Sequence, residues 1–194
     1  MNALAPLFIV SGPSGSGKST VIGRLLAEPK LPLRLSVSAT TRQPRPGERD
    51  AVHYHFWTRD RFEEELRQGA FLESAEVHGH YYGTLRREVF PYRERGIGVL
   101  LDIDVQGARQ VRGQCSDVVS VFLRTSSMQA YEERLRARGT EDEADIERRL
   151  AAARTELAHA AEYDYVVIND NLDEAVARLG AILQVKWERN EHAG

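Results

Sequence analysis

The chain holds one cysteine, Cys115, three lysines, and no apolar run near the length that spans a bilayer. A lone thiol has no internal disulfide partner. The first strand-like run begins almost at once, where a cleavable leader would carry a longer apolar stretch, and the expectation is a soluble cytoplasmic protein. With no run of about 18 apolar residues, a transmembrane helix is excluded. The positive excess of a protein that coats nucleic acid is also missing: 26 basic residues face 29 acidic ones, the net charge is −3 and the pI is near 6.1. Arginine outnumbers lysine 23 to 3, which genomic habit explains as readily as the better fit of guanidinium to phosphate. No repeat, low-complexity tract or interdomain linker interrupts the chain. What is present is 194 residues, 42% of them hydrophobic, enough for one sizeable core that carries inserted lobes.

The most informative segment is Gly12-Pro13-Ser14-Gly15-Ser16-Gly17-Lys18-Ser19, directly after the apolar run Leu7–Val10. It fits GxxxxGK[ST] with a strand before and a helix after, the context a phosphate-binding loop needs. Glycines let successive backbone N–H groups point at phosphate oxygens, the following helix adds its positive end, and Lys18 bridges the outer phosphates. The Ser19 hydroxyl is the expected Mg²⁺ contact.

Strand-like runs at Leu7–Val10, Leu35–Ser38, Val99–Asp102, Val118–Leu123 and Tyr165–Ile168 alternate with amphipathic stretches, as in a parallel α/β sheet. Two segments break that rhythm. Residues 38–94 carry Pro44, Pro46 and Gly47, an aromatic alternation from Val52 to Trp57, a helix over Arg59–Gln68 and a turn at Tyr81-Tyr82-Gly83, and read as an inserted lobe. Residues 126–162 read as two helices, Met128–Arg138 and Glu141–Ala161, with Thr140 and Glu143 at capping-box spacing. Arg124, Arg134, Arg136, Arg138, Arg148, Arg149 and Arg154 crowd the second insert, most of them on solvated faces as i,i+3 and i,i+4 pairs, with two or three left to face phosphate. The helix Leu172–Trp187 reads as sheet cover. Asp102 and Asp104 fall at period two where an apolar strand ends, at the carboxyl edge where open α/β sheets bind ligands; the alternative for Asp104 is the cap of a helix from Val105. His53, His55, His78 and His80 fall close together without a cysteine and read as ordinary histidines rather than metal ligands.

The segment Ser38-Ala39-Thr40-Thr41-Arg42-Gln43-Pro44-Arg45-Pro46-Gly47-Glu48 is followed by Tyr54, Phe56, Glu73, Tyr81-Tyr82-Gly83-Thr84, Leu101–Gly107, Arg134–Thr140, Arg148-Arg149-Leu150 and Val167–Asp170. Together they closely resemble the guanylate kinases over nearly the whole chain. Two departures stand out: Ala51, where the family usually keeps glycine, and Trp57, where an aliphatic residue is commoner.

The resemblance implies a P-loop NTPase-like α/β fold with a five-stranded parallel sheet (about 1–37, 95–125 and 163–194), an inserted mixed α/β GMP-binding lobe (about 38–94) and a helical lid (about 126–162). It implies transfer of the γ-phosphoryl group of MgATP to GMP, with dGMP as a related acceptor and neither nucleic acid nor membrane as partner. ATP is expected at Gly12, Pro13, Ser14, Gly15, Ser16, Gly17, Lys18, Ser19 and Thr20 with Arg134, Arg138 and Asn169. GMP is expected at Ser38, Arg42, Arg45, Tyr54, Glu73, Tyr82, Gly83, Thr84, Asp102, Asp104 and Arg149. Lys18, Arg42, Arg138 and Arg149 are the expected catalytic groups, and Ser19 with Asp102, through water or directly, the Mg²⁺ contacts. Glu73 suits guanine because a carboxylate only accepts, while the guanine edge offers two adjacent donors, N1–H and the 2-amino group. Two rivals stand beside this reading: a ribose-bisphosphate phosphokinase, which needs no purine-reading acids, and a non-catalytic guanylate-kinase-like interaction module, which usually lacks an intact phosphate loop.

Overall fold

The computed structural model describes residues 4–28, 30–77, 79–137 and 143–192. Strand β1 (Leu7–Ser11) is buried throughout, with Leu7 and Ile9 turned to one face and Phe8 and Val10 to the other. Burial on both faces is what a central parallel strand requires. After it come α1 (Lys18–Ala27), β2 (Leu33–Leu35), β3 (Ala39–Thr40), β4 (His55–Phe56), α2 (Arg59–Arg67), β5 (Phe71–Val77), β6 (His80–Leu85), α3 (Phe90–Glu94), β7 (Gly98–Asp102), α4 (Val105–Gln114), β8 (Val119–Arg124), α5 (Met128–Arg136), α6 (Glu143–Leu157), β9 (Tyr165–Ile168) and α7 (Leu172–His192).

Five strands form a parallel sheet in the order β2-β7-β1-β8-β9. The chain leaves β1 for β2 and β7 on one side and crosses later to β8 and β9 on the other. The crevice past the carboxyl end of β1 is therefore the switch point where such sheets take ligands. Helix α4 covers one face through Val105, Ala108 and Val111, while α1 and α7 cover the other through Val21, Ile22, Ala175, Leu179 and Leu183.

A second sheet, ordered β4-β3-β6-β5, is mixed and packs Trp57, Phe62, Phe71 and Leu85 into its own small core. Trp57 is thus the wall of that core, which accounts for one of the two departures. Helices α5 and α6 share a third cluster of Tyr131, Leu135, Ile146 and Leu150.

Several expectations shift. The second strand covers Leu33–Leu35 rather than Leu35–Ser38, because residues past it change sheets: the Ser36 N–H still donates to Leu100 O, but Ser38 O already accepts from His55 N. The aromatic alternation supplies only the short β4. Tyr81-Tyr82-Gly83 is strand and not turn: Gly83 lies within β6, where a β-carbon would strike the Phe71 ring and Glu73 O of β5. The second insert helix ends at Leu157, and Ala160–Glu162 form a 3₁₀ turn that swings Tyr163 into the core. The last helix runs on past Trp187. The Thr140 cap, Arg138 and His78 lie outside the described residues.

Candidate nucleotide-binding site

A cleft of about 330 Å³ opens at the carboxyl end of β1, between the two sheets and α6. One wall is the phosphate loop. Gly12, Gly15 and Gly17 all take positive φ (146°, 89° and 87°), a region side-chain-bearing residues avoid. A β-carbon on Gly12 would strike Leu123 O, and one on Gly17 would strike Asn169 Nδ2. Helix α1 starts at Lys18 with no side-chain cap; Thr20 N already donates to Gly17 O, and the Lys18 and Ser19 N–H groups are left for a ligand. Lys18 Nζ arches back over the loop to Gly12 O. From below, Asn169 Nδ2 donates to Ser16 O at 2.7 Å, while Arg134 Nη2 donates to Asn169 O at 2.6 Å and its Nη1 reaches Ser16 O at 3.4 Å. From the α6 side, Arg149 Nη1 donates to Ser14 Oγ at 3.2 Å.

The opposite end of the cleft belongs to the second sheet. A register shift in β5 between Phe71 and Glu73 sets Glu73 opposite Thr84, the re-aiming a β-bulge produces. Glu73 is 5% exposed, and Thr84 N–H donates to its Oε1 at 2.7 Å. Burial pushes its pKa up to about 7 against the pull of Thr84, with neighbouring Asp104 adding to the rise. Asp104 caps α4, its Oδ1 accepting from Gly107 N at 2.8 Å, so the reading of Asp104 as a cap is correct. Asp102 ends β7; burial raises its pKa while Lys18 opposes the rise. Tyr54 is pushed up to about 12, first by burial and then by Asp102, which keeps the phenol a neutral donor.

Of the expected residues, Gly12–Gly15, Gly17–Thr20, Ser38, Arg45, Tyr54, Glu73, Tyr82, Asp102, Asp104 and Arg149 line this one cleft. Ser16, Gly83, Thr84, Arg134 and Asn169 stand behind the lining. Arg42 is paired within its own loop: its Nη1 and Nη2 donate to Glu48 Oε2 and Oε1, both at 2.9 Å, and Glu48 also accepts from Arg45 N at 2.7 Å. That pairing holds the Glu48 carboxyl below its usual range. Sequence reasoning gave neither Glu48 nor Glu156 a role at the site, although Glu156 lines the cleft. Glu48 closes the arginine motif, a signal that was available; Glu156 sits in a helix dense with charge, where nothing sets it apart.

No group of three or more His, Cys, Asp or Glu side chains converges as a metal cage among the described residues. Ser19 and Asp102 nevertheless line the same cleft as the phosphate loop. One hydroxyl and one carboxylate fit Mg²⁺, which takes most of its ligands from phosphates and water.

A phosphate loop at the switch point, faced across one cleft by a small sheet with a buried acceptor, defines a P-loop nucleoside monophosphate kinase. The family described as "Guanylate kinase" matches residues 5–186. A guanylate kinase of Paraburkholderia xenovorans is 51% identical over 183 residues, covering 94% of this chain and 81% of that relative. One from Xanthomonas axonopodis pv. citri is 48% identical over 97% of this chain and 95% of its own length. The crystal structure of guanylate kinase from Anaplasma phagocytophilum superposes with a TM-score of 0.80 at 31% identity, covering 96% of this chain and 88% of that one. The chain belongs to the guanylate kinase family.

Proposed function

We propose that the family's reaction, transfer of the γ-phosphoryl group of ATP to GMP giving ADP and GDP, runs in this cleft with the phosphate loop holding the donor and the second sheet holding the acceptor. Residues 38–94 would form the acceptor lobe and 126–162 the lid on a core of the remaining segments. The observation that carries this reading is the buried Glu73 at one end of a cleft whose other end is the glycine nest.

In the reaction a GMP phosphate oxygen attacks the γ-phosphorus as the bond to the β–γ bridging oxygen breaks, and ADP departs. Much of the acceptor phosphate is dianionic at neutral pH, so no strong base is required, and the work is positioning and charge neutralisation. Loop N–H groups would hold the donor phosphates, and Lys18 would swing from Gly12 O onto the transferring group. Arg149, hydrogen-bonded to Ser14, would face the same charge, a task Arg138 would share, with Arg134 and Asn169 keeping the loop in shape. Arg42, Arg45, Tyr54 and Tyr82 would take the acceptor phosphate, and Glu73, Ser38, Thr84 and Asp104 the guanine edge, with Gly83 giving the strands their close approach. Bound Mg²⁺, held through Ser19 and Asp102, would neutralise charge on the donor phosphates. The acceptor class includes dGMP. No helix among the described residues is long and apolar enough to cross a membrane, and the unpaired Cys115 suits the reducing cytoplasm we assign to the enzyme.

The test is ADP release with GMP, AMP and ribose bisphosphate as acceptors, in wild type and Glu73→Gln. Adenine sets its N1 lone pair against the carboxylate, and a site that rejects by unpaired polar groups discriminates by about 10⁴ to 10⁵. Glutamine offers an amide donor there, so the variant should lose GMP turnover and gain tolerance for AMP. Full GMP turnover without that tolerance would refute the base-reading role. Turnover of ribose bisphosphate, or peptide binding without ATP affinity, would restore one of the rivals.

A further inference from the structure

Glu156 lies on the last turn of α6 and lines the cleft. That end of the helix is fastened to the core: Leu157 and Ala160 pack on the cluster containing Val105 and Ala108 of α4. Arg109 of α4 donates to His159 Nδ1 at 2.9 Å and to Glu162 Oε1 at 2.6 Å. Glu156 is therefore held beside the N-terminus of α4, where Asp104 is the cap. A β-carbon on Gly107 would stand 2.5 Å from Glu73 Oε2 and 3.4 Å from Asp104 Oδ1, so the acids of Glu73 and Asp104 face each other across that glycine. Asp104, Lys18 and His159 all lie close enough to Glu156 to act on its charge, and none of them hydrogen-bonds to its carboxylate. Burial raises its pKa against the pull of Lys18. A half-buried carboxylate left without a donor among the described residues, in a ligand cleft, is costly unless the ligand supplies one.

Asp104 is thus a neighbour of both Glu73 and Glu156, and Lys18 a neighbour of Glu156, in one cleft. A nucleotide with its base at Glu73 and its phosphate toward Lys18 lays its sugar between them, and the only donors a nucleoside sugar carries are its hydroxyls. We infer that Glu156 accepts a hydrogen bond from a ribose hydroxyl of the acceptor nucleotide and so reads the sugar as Glu73 reads the base. The inference rests on the acceptor lying with its base at Glu73. It gives α6 two tasks: Arg149, near its middle, serves the transferring charge, and Glu156, on the anchored last turn, serves the acceptor sugar.

Steady-state kinetics with GMP, 2′-deoxy-GMP and 3′-deoxy-GMP at saturating MgATP test this in wild type, Glu156→Ala and Glu156→Gln. A charge-assisted hydrogen bond corresponds to roughly ten- to a hundredfold in kcat/KM. Wild type should prefer GMP over one deoxy analogue by about that factor, acting mainly through KM. Glu156→Ala should lose the same factor on GMP and nothing on that analogue, so that the discrimination vanishes. Glu156→Gln should fall between, and it carries the same comparison should the alanine variant melt well below wild type. Equal losses on all three acceptors, no sugar discrimination in wild type, or an unchanged variant would each overturn the inference. So would a raised Mg²⁺ requirement with sugar discrimination intact, which would assign the carboxylate to metal-bound water. Wild type inactive on GMP would instead defeat the reading of the acceptor site itself.

Discussion

Gly107 and Glu73 meet so closely that a β-carbon on the glycine would lie 2.5 Å from the acid's Oε2. Glycine inside a helix normally costs about 1 kcal/mol relative to alanine. Here it leaves the room in which the carboxylate stands.

Gly107→Ala should therefore separate stability from function. The atom it meets is the end of a side chain, so the fold can accommodate the methyl by moving Glu73 off Thr84 N. We expect the urea midpoint to fall only modestly, the gain from alanine offsetting part of the lost Thr84 N–H bond, while KM for GMP climbs on the order of a hundredfold, the cost of misplacing a binding group by about an ångström. A variant with wild-type KM would show that Glu73 does not need its observed position.

The raised Glu73 pKa predicts two opposite pH trends. Without ligand the folded protein holds a proton on Glu73 up to about pH 7, whereas the ordinary value is 4.5. Folding thus binds a proton between those limits, and the stability tied to Glu73 is complete below pH 4.5 and lost as pH rises through 7. Guanine needs the ionised form, so its binding should strengthen over the same interval. Urea melts from pH 5 to 8 and titration with guanosine, which lacks a titrating phosphate, measure the two slopes. Glu73→Gln should flatten the stability trend; a variant that retains it would assign the proton elsewhere.

The phosphate loop was fully legible in the sequence because its glycines answer to backbone geometry that little else tolerates: Gly12 and Gly17 would each collide with a neighbour if substituted. The central strands were legible for a similar reason, since Leu7–Val10 is apolar on both faces and only a central parallel strand buries both. The second sheet was not. Its strands β3 and β4 are two residues each, too short for any period, and they exist because the chain crosses from one sheet to the other after Ser36. The arginine motif revealed its residues but not their pairing, because the partner of Arg42 is set by a turn that brings Glu48 back upon it. Glu156 was hidden for yet another reason. A carboxylate in a helix rich in Arg and Glu looks like one more solvated charge until the packing of Leu157 shows which way that turn faces.

Glu48 should act as the device that orients Arg42 before any ligand arrives. Its two oxygens hold both guanidinium nitrogens and the Arg45 N–H, fixing the loop that presents both arginines. Glu48→Ala should raise KM for GMP by about ten- to a hundredfold with a smaller change in kcat, and Glu48→Gln, which keeps an acceptor oxygen, should lose less. A lower KM in either variant would mean that Glu48 competes with phosphate for Arg42 instead of positioning it.

Ala51 is the one non-glycine residue with positive φ, 58°, among the described residues. It stands where the guanylate kinases usually carry glycine, and the backbone explains why: Ala51 N donates to Tyr54 O at 2.8 Å, closing a turn that needs the left-handed region. For a residue with a β-carbon that region costs roughly 1–2 kcal/mol, while glycine returns about 0.5–1 kcal/mol of that in unfolded-state entropy. Ala51→Gly should then stabilise the fold by about 0.5–1 kcal/mol, seen as a higher urea midpoint at constant m-value. Because Tyr54 lines the cleft, KM for GMP should stay within about twofold if the turn already has its working shape. A lower midpoint would show that the turn relaxes around Ala51, and that the departure from glycine costs this chain nothing.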